Sequence, residues 1–300
     1  MSHVQVRTTD AAAFDLKVTP HTLLEKKHRC EPITALTAYD YPTARIVDEA
    51  GIDLILVGDS LAMTVLGHES TLSLTVEEML HHARAVRRGV RRAFLVVDMP
   101  YGSYHLSTQD TLRNALSLVQ KGGAEAVKIE GGHRRASLVE ELTAAEIPVV
   151  GHIGLTPQSV LRMGGYRVQG RSVPEVEELL ADAAALEGAG AVALVLEGIP
   201  RELAEQITST VKIPTIGIGA GPGCDGQILV FHDAFELTFT RAAKFVRRFG
   251  EAGTLLREGI EQYRDAVISH RFPSDAESYH LPREIASGMN LPTAPVSLAS

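Results

Sequence analysis

Short apolar runs of strand length recur along this chain, and an ionisable residue follows each of them. The runs and the residues that follow are 54–57 with Asp59, 94–97 with Asp98, 126–129 with Glu130, 149–150 with His152, and 192–196 with Glu197. Runs this short and this apolar are typical of strands buried on both faces of a parallel sheet. Because the carboxyl ends of parallel strands lie on one face, where ligands bind, the pattern predicts one polar site there.

Strand and helix patterns alternate about eight times, with no linker to divide them. This is the pattern of a single-domain α/β protein, a (β/α)8 TIM barrel of roughly 250 residues. Thr19 and Pro20 open an N-terminal helix, and too few residues separate the seventh strand (214–218) from the eighth (227–231) for a helix. That crossover must therefore be degenerate. A doubly wound open sheet is the alternative, but no Gly-x-Gly-x-x-Gly follows the first strand.

The domain limits follow from the same patterns. Residues 1–18 are expected to form a flexible arm, 19–270 the barrel domain, and 271–300 an irregular, proline-containing tail. Helical periodicity from 242 to 268, interrupted near Gly250, falls inside the predicted barrel domain.

Charge and composition narrow the class of partner. A formal net charge of -8 argues against binding to nucleic acid or to an anionic membrane. No apolar run approaches membrane-spanning length, and the first residues lack the pattern of a signal peptide. Cys30 and Cys224 show no metal or redox spacing. We expect a soluble, cytoplasmic protein that acts on small molecules.

Three acidic strand ends form a candidate metal site. Asp59, Asp98 and Glu130 follow three successive strands, so their carboxylates can converge. Hard oxygen ligands without cysteine favour Mg²⁺ over Zn²⁺. The alternative is that each carboxylate caps the helix after its strand or pairs with a basic residue. For any one carboxylate this alternative competes evenly with the metal site, but for all three together it competes much less well.

The remaining polar strand residues each allow two interpretations. Lys128 shares a strand face with Glu130, so it is either an anchor for a substrate carboxylate or enolate oxygen, or the ion-pair partner of Glu130. Glu197 has no basic neighbour in sequence, which suits a general base, although it could also cap the helix that opens at Pro200. His152 is either a polar substrate contact or a structural histidine.

Several long motifs resemble the ketopantoate hydroxymethyltransferase family. They are TAYDYPTA at 37–44, LVGDSLAMTVLGHESTL at 56–72, VKIEGG at 127–132, GHIGLTPQS at 151–159, GGYRVQGR at 164–171, VLE at 195–197, and IGIGAG with DGQILV at 216–230. They lie in order between about residues 34 and 249. Motifs of this length in this order are far more specific than any short pattern.

The resemblance implies a fold, a reaction and a site. The family fold is a (β/α)8 barrel, commonly assembled as a homodecamer. The implied reaction transfers a hydroxymethyl group from 5,10-methylenetetrahydrofolate to 3-methyl-2-oxobutanoate through a Mg²⁺-stabilised enolate, and it gives ketopantoate in the first committed step of pantothenate synthesis. The family's metal and ketoacid site falls on Asp59, Ser60, Asp98, Lys128 and Glu130, and its general base falls on Glu197. Ser60 is assigned by the resemblance alone.

Two departures from the family pattern lie after the eighth strand. Glu236 stands where the family usually has a glycine, and Ala243 stands where it usually has a proline. These departures put in doubt any contact of the folate tail with residues 232–245. The alternatives to the implied function are a Mg²⁺-dependent carbon–carbon lyase of the isocitrate lyase and phosphoenolpyruvate mutase type, and a non-enzymatic barrel that binds a metabolite.

Overall fold

Eight parallel strands close into a barrel in chain order, which confirms the predicted (β/α)8 architecture. The computed structural model describes residues 16–240, 242–289 and 291. The strands are β1 Ile33–Thr37, β2 Leu54–Val57, β3 Phe94–Asp98, β4 Ala126–Glu130, β5 Val149–Gly154, β6 Ala193–Glu197, β7 Thr215–Ile218 and β8 Gly226–Leu229. The last strand pairs with the first, so the sheet has no free edge.

Twelve α-helices occur in the described part of the chain. They are α1 Pro20–His28, α2 Tyr41–Glu49, α3 Leu61–Thr64, α4 Val76–Gly89, α5 Thr108–Gly122, α6 Ala136–Ala144, α7 Val160–Met163, α8 Val173–Gly188, α9 Arg201–Thr210, α10 Phe231–Ala234, α11 Ala252–Ile268 and α12 Arg283–Gly288. The N-terminal helix is the predicted one, with Thr19 as its N-cap and Pro20 in its first turn. Residues 219–225, all of them described, form no helix, so the crossover between β7 and β8 is degenerate as predicted. No helix within the described residues is long and apolar enough to cross a membrane.

Side chains alternate between the two faces of each strand, so the core has one part inside the barrel and one part between the strands and the helices. The same alternation positions the site. Leu54, Leu56, Phe94 and Val96 belong to the cluster inside the barrel, while alternate residues such as Ile55 pack beneath the helices. The inward set continues through β3 to Asp98, through β4 to Lys128 and Glu130, through β5 to His152 and through β6 to Glu197. Successive strand side chains point to opposite faces, so these polar side chains extend the inner layers at the carboxyl ends of the strands.

The structure divides the chain into two compact units, and the predicted domain limits stay a prediction. The chain divides between Arg248 and Phe249, and the unit before this division contains the whole barrel. Residues 1–15 of the predicted arm lie outside the described residues, whereas Val18 is buried and Lys17 Nζ lies 2.6 Å from Glu125 Oε2. Residues 292–300 of the predicted tail also lie outside the described residues, and the described part of that tail contains α12.

One predicted helical segment is wrong. The described residues between 242 and 250 form no helix, and α11 begins only after Gly250. The ring of Phe245 instead packs over Gly219, so closely that a Cβ added to that glycine would lie 2.6 Å from Phe245 Cδ1. The apolar residue that suggested a helix is therefore used to cover the barrel mouth.

The departure at Glu236 has a structural consequence at the end of α10. Glu236 follows the C-cap Phe235 and has a φ of 61°, and the N–H of Leu237 donates to the carbonyl of His232. This is the helix-ending geometry in which glycine is preferred, because a Cβ there costs about 1–2 kcal/mol. The Glu236 carboxylate accepts a hydrogen bond from Arg248 Nη1 at 3.0 Å.

Replacing Glu236 by glycine should give a more stable protein than replacing it by alanine. Both substitutions remove the same ion pair, but only glycine relieves the left-handed backbone, and the difference should be about 1 kcal/mol. Urea denaturation of the two variants measures it. An alanine variant as stable as the glycine variant would show that the backbone at 236 is not strained.

Candidate active site

A cavity of about 190 Å³ opens at the carboxyl ends of the strands and brings the predicted residues together. Its lining includes all seven of them, namely Asp59, Ser60, Asp98, Lys128, Glu130, His152 and Glu197. Each comes from the last residues of a strand or from the residues just after it, on β2 to β6. The closed barrel thus places on one mouth residues that are up to 138 positions apart in sequence (59 to 197).

Three buried carboxyl groups form one side of the cavity. Asp59, Asp98 and Glu130 are each at most 4% exposed, and the N–H of Asp59 donates to Asp98 Oδ2 at 2.9 Å. Burial, followed by the charges of Asp98 and Glu130, raises the pKa of Asp59 well above its ordinary value. Burial also raises the pKa of Asp98, although Lys128 and the Asp59 N–H oppose it. The cluster therefore concentrates negative charge that a cation would stabilise.

Lys128 pairs with Asp98, and its ammonium is held within the cluster. Its Nζ lies 3.0 Å from Asp98 Oδ1 and 3.1 Å from His152 Nδ1. The ion pair with Glu130 that the sequence allowed is therefore not the closest contact, because register sets Lys128 beside Asp98 and Glu130 beside His152. Burial disfavours the charge, but the surrounding carboxylates outweigh it and raise the pKa of Lys128 above its usual range.

His152 joins the carboxylate cluster to Glu197. Its Nε2 lies 3.2 Å from Glu197 Oε2 and its Nδ1 lies 3.5 Å from Glu130 Oε1. Burial and the charge of Lys128 oppose protonation, but the carboxylates of Glu130 and Glu197 prevail and raise the pKa of His152 to about 9. Glu197 thus has a basic neighbour that its own strand did not reveal, since the partner comes from β5.

Gln158 is a site residue that the strand-end pattern missed. Its side-chain Nε2 donates to Asp59 Oδ2 at 2.8 Å and to the carbonyl of Met99 at 3.0 Å. Its N–H donates to Glu130 Oε2 at 2.9 Å, and its Oε1 accepts from the Tyr104 hydroxyl at 2.6 Å. Gln158 lies in the loop after β5, within the motif GHIGLTPQS, which was the available signal.

Tyr39 is a second residue that the pattern missed. It is buried, and its hydroxyl is hydrogen-bonded to Ser60 Oγ at 2.8 Å. Burial raises the pKa of Tyr39 to about 12, so it remains a neutral phenol. Tyr39 therefore fixes the half-buried hydroxyl of Ser60 at the edge of the cavity. It lies in the motif TAYDYPTA.

The donor set at this mouth suits Mg²⁺. Five carboxyl groups line the cavity beside two cationic groups, Lys128 and His152, and this leaves a formal excess of three negative charges. Glu130 Oε1 is buried and accepts no hydrogen bond from the described residues. No group of three or more His, Cys, Asp or Glu in the described chain has the geometry of a metal cluster. Mg²⁺ usually takes only one or two protein carboxylates and completes its shell with water or substrate oxygens, so Asp59 and Asp98 suffice.

Sequence comparison gives one consistent result. The family model described as ketopantoate hydroxymethyltransferase matches residues 17–275. A 3-methyl-2-oxobutanoate hydroxymethyltransferase of Koribacter versatilis (strain Ellin345) is 62% identical over 93% of this chain and 94% of its own length. One of the same name from Thermoanaerobacter sp. (strain X514) is 52% identical over 88% of this chain and 97% of its own length.

Comparison with solved structures identifies the same architecture. A phosphonopyruvate hydrolase solved with oxalate and Mg²⁺ has a TM-score of 0.55 and 14% identity over 90% of this chain and 94% of that one. A 2,3-dimethylmalate lyase of the PEP mutase/isocitrate lyase superfamily has a TM-score of 0.55 and 16% identity over the same shares. At these identities the likeness establishes the barrel fold alone.

Replacing Gln158 by methionine should destabilise the protein by about 1–3 kcal/mol. The substitution keeps the length of the side chain but leaves buried polar atoms of Asp59 and Tyr104 without a partner. Tyr104→Phe is the matched control, because it removes one hydrogen bond of the network and leaves the amide donors of Gln158 in place. Unfolding in urea compares the two. A methionine variant as stable as the wild type would contradict the central position of Gln158.

Proposed function

The chain belongs to the ketopantoate hydroxymethyltransferase family, and from that premise we propose that it transfers a hydroxymethyl group from 5,10-methylenetetrahydrofolate to 3-methyl-2-oxobutanoate, in the first committed step of pantothenate and coenzyme A biosynthesis. The proposal rests on one observation, which is that a single small cavity has two chemically different sides. One side holds buried carboxylates able to bind a cation, and the other holds Glu197, a carboxylate set apart from them by His152.

Asp59 and Asp98 are the proposed protein ligands of Mg²⁺. When bound, the metal would act as a Lewis acid toward the carboxylate and keto oxygens of the ketoacid. Glu130 is the third candidate ligand and reaches the site either directly or through water. Its Oε2 is already engaged by the N–H of Gln158, which leaves Oε1 available.

Lys128 and Ser60 are the proposed contacts of the ketoacid. Lys128 retains its positive charge next to Asp98 and lies inside the cavity, so it can stabilise an oxygen that becomes negative as the C3 proton is removed. The Ser60 hydroxyl, held by Tyr39, can bind a second substrate oxygen. His152 was predicted as a substrate contact, and its Nε2, 3.2 Å from Glu197 Oε2, supports a further role in positioning Glu197.

Glu197 is the proposed general base. It is half-buried at the end of β6 and lines the cavity on the side away from Asp59 and Asp98. Removal of the C3 proton of the ketoacid by its carboxylate leaves an enolate, which then forms a carbon–carbon bond with the one-carbon unit of the folate. Both carbon–nitrogen bonds of that unit break, water supplies the hydroxyl oxygen of the product, and the two folate nitrogens take up the C3 proton and one proton of the water. The ring Nε2 of His152 lies 3.2 Å from Glu197 Oε2 and can donate to the carboxylate that accepts the proton.

The carbon–carbon lyase alternative is supported by fold likeness alone. The 2,3-dimethylmalate lyase of the PEP mutase/isocitrate lyase superfamily is 16% identical to the chain, whereas the transferase from Koribacter versatilis is 62% identical. A requirement for folate in turnover separates the two functions, and it also separates a transferase from a barrel that merely binds a metabolite.

Assembly and location remain proposals. A homodecamer is what the family resemblance implies, and α11 supports an oligomer in that none of its residues is buried while Leu256, Ile260, Tyr263 and Val267 are exposed along it. A stripe with this spacing is typical of a helix face that packs against a partner. A cytoplasmic location follows from the sequence features alone.

Asparagine at position 59 or 98 should weaken Mg²⁺ binding strongly. Losing a residue that only holds a metal ligand in place typically weakens metal affinity by roughly 10–100-fold, and losing a ligand itself should weaken it more. Glu130→Gln should weaken the affinity within that range if Glu130 acts through water. Calorimetric titration with Mg²⁺ measures the affinities, and turnover at varied Mg²⁺ supports them. Asp233→Asn is a matched control, because Asp233 lines the same cavity but accepts from Thr238. Unchanged Mg²⁺ dependence in both Asp variants would rule out the assignment.

Glu197→Gln should abolish most of the exchange of the ketoacid C3 proton with solvent. Exchange needs the metal and the base but no folate, and general-base assistance is typically worth about 10²- to 10⁴-fold. Deuterium exchange followed by NMR measures the rate, and calorimetry measures ketoacid binding, which should persist. Exchange at the wild-type rate would exclude Glu197 as the base, and loss of both exchange and binding would assign it to substrate binding.

A further inference from the structure

A second, larger cavity adjoins the first at the barrel mouth. It has a volume of about 400 Å³ and is formed by loops after β3, β4 and β5 together with α8. Glu130 lines both cavities, and Gln158, which contacts Asp59, lines the larger one. The smaller cavity, of about 190 Å³, is below the roughly 300–1,000 Å³ of ordinary ligand sites, so it suits the ketoacid and leaves no room for a folate as well.

Three arginine side chains, those of Arg134, Arg135 and Arg162, line the larger cavity without ion-pair partners among the described residues. Three carboxylates, Glu130, Asp182 and Glu178, also line the cavity, but Glu130 and Asp182 are held by the backbone N–H groups of Gln158 and His133 and pair with none of the arginines. Guanidinium groups present paired donors that match a carboxylate, so this cluster is suited to an organic anion.

The loop that carries two of these arginines is held in place by α8. Asp182 Oδ1 accepts from the N–H of His133 at 2.7 Å and contacts its ring Nδ1 at 2.5 Å. A Cβ at Gly132 would lie 1.8 Å from the carboxyl carbon of Asp182, so only glycine fits there. The positions of Arg134 and Arg135 are therefore set by the protein itself, which reduces the entropy lost on binding.

Aromatic rings form another wall of the same cavity. The ring centroid of His105 lies 4.9 Å from that of Tyr101 and 4.3 Å from that of Tyr104. The guanidinium carbon of Arg135 lies 5.1 Å from the ring centroid of Tyr104. The cavity thus offers flat, polarisable surfaces beside cationic groups, which suits a ligand that joins an aryl ring to carboxylates.

We propose that this cavity binds the p-aminobenzoylglutamate part of the folate co-substrate. The aryl ring packs against the exposed rings of Tyr101 and His105, and the glutamate carboxylates bind Arg134, Arg135 and Arg162. The inference rests on the proposed function, because that function supplies a ligand with both groups. Through the wall shared at Glu130, the one-carbon unit can face the ketoacid. The folate tail then lies away from residues 232–245, where Glu236 and Ala243 depart from the family pattern.

Binding of two folates to arginine variants tests the assignment. The probes are tetrahydrofolate and tetrahydropteroate, which lacks the glutamate, and calorimetry measures both against wild type, Arg134→Gln and Arg162→Gln. Each substitution should weaken tetrahydrofolate binding about 5- to 30-fold, within the range for hydrogen bonds to charged groups at a partly exposed site. Tetrahydropteroate should bind wild type and both variants alike, because the lost contact is to the glutamate.

Arg167→Gln is the matched control, since Arg167 lies in the same connection between β5 and α8 as Arg162 but does not line the cavity. It should retain the wild-type preference for tetrahydrofolate. Arg134 and Arg162 variants that also retain it, or an Arg167 variant that loses as much, would overturn the proposal. Exchange of the ketoacid C3 proton separates failure of the cavity assignment from failure of the proposed function. Variants with normal exchange and normal preference overturn the cavity assignment alone, whereas a wild type that neither exchanges nor binds tetrahydrofolate overturns the proposed function and this inference together.

Discussion

Repulsion among desolvated carboxylates is the constraint on which the site depends. Asp59, Asp98 and Glu130 are buried together, and isolated buried charges of like sign would be too costly for a barrel core to hold. The protein compensates with Lys128, with the amide of Gln158 and with backbone N–H donors. The compensation is incomplete, and the remaining negative charge makes the mouth receptive to a divalent cation. The same imbalance that limits stability thus supports the proposed cation site.

The barrel makes this arrangement possible because it separates apolar and polar layers along each strand. Alternate residues of β3 and β4 fill the interior with Phe94, Val96 and Ala126 before the strands reach Asp98 and Lys128. Each polar group therefore has an apolar layer beneath it and neighbouring strands on both sides. Parallel register then determines which groups meet, so Asp98 faces Lys128 and Glu130 faces His152.

The sequence predicts whatever depends on local pattern and misses what depends on contacts between strands and loops. The strands, the degenerate crossover and the polar strand ends were predictable, because apolar runs and their flanking residues are contiguous in the chain. The partner of Lys128 and the proximity of His152 to Glu197 were not, since both depend on register. Gln158 lies in a loop with no periodicity to expose it. Residues 242–250 resembled a helix because pattern alone does not show that Phe245 packs over Gly219.

The contacts of His152 have a further consequence for which substitutions this site can accept during evolution. Its ring touches Lys128 on one side and Glu197 on the other, so the proposed substrate contact and the proposed general base share one neighbour. Residues coupled in this way do not contribute independently, and the combined effect of replacing two differs from the sum of the single effects. The three positions therefore form an epistatic unit, in which a tolerated change at one depends on the residue present at the others.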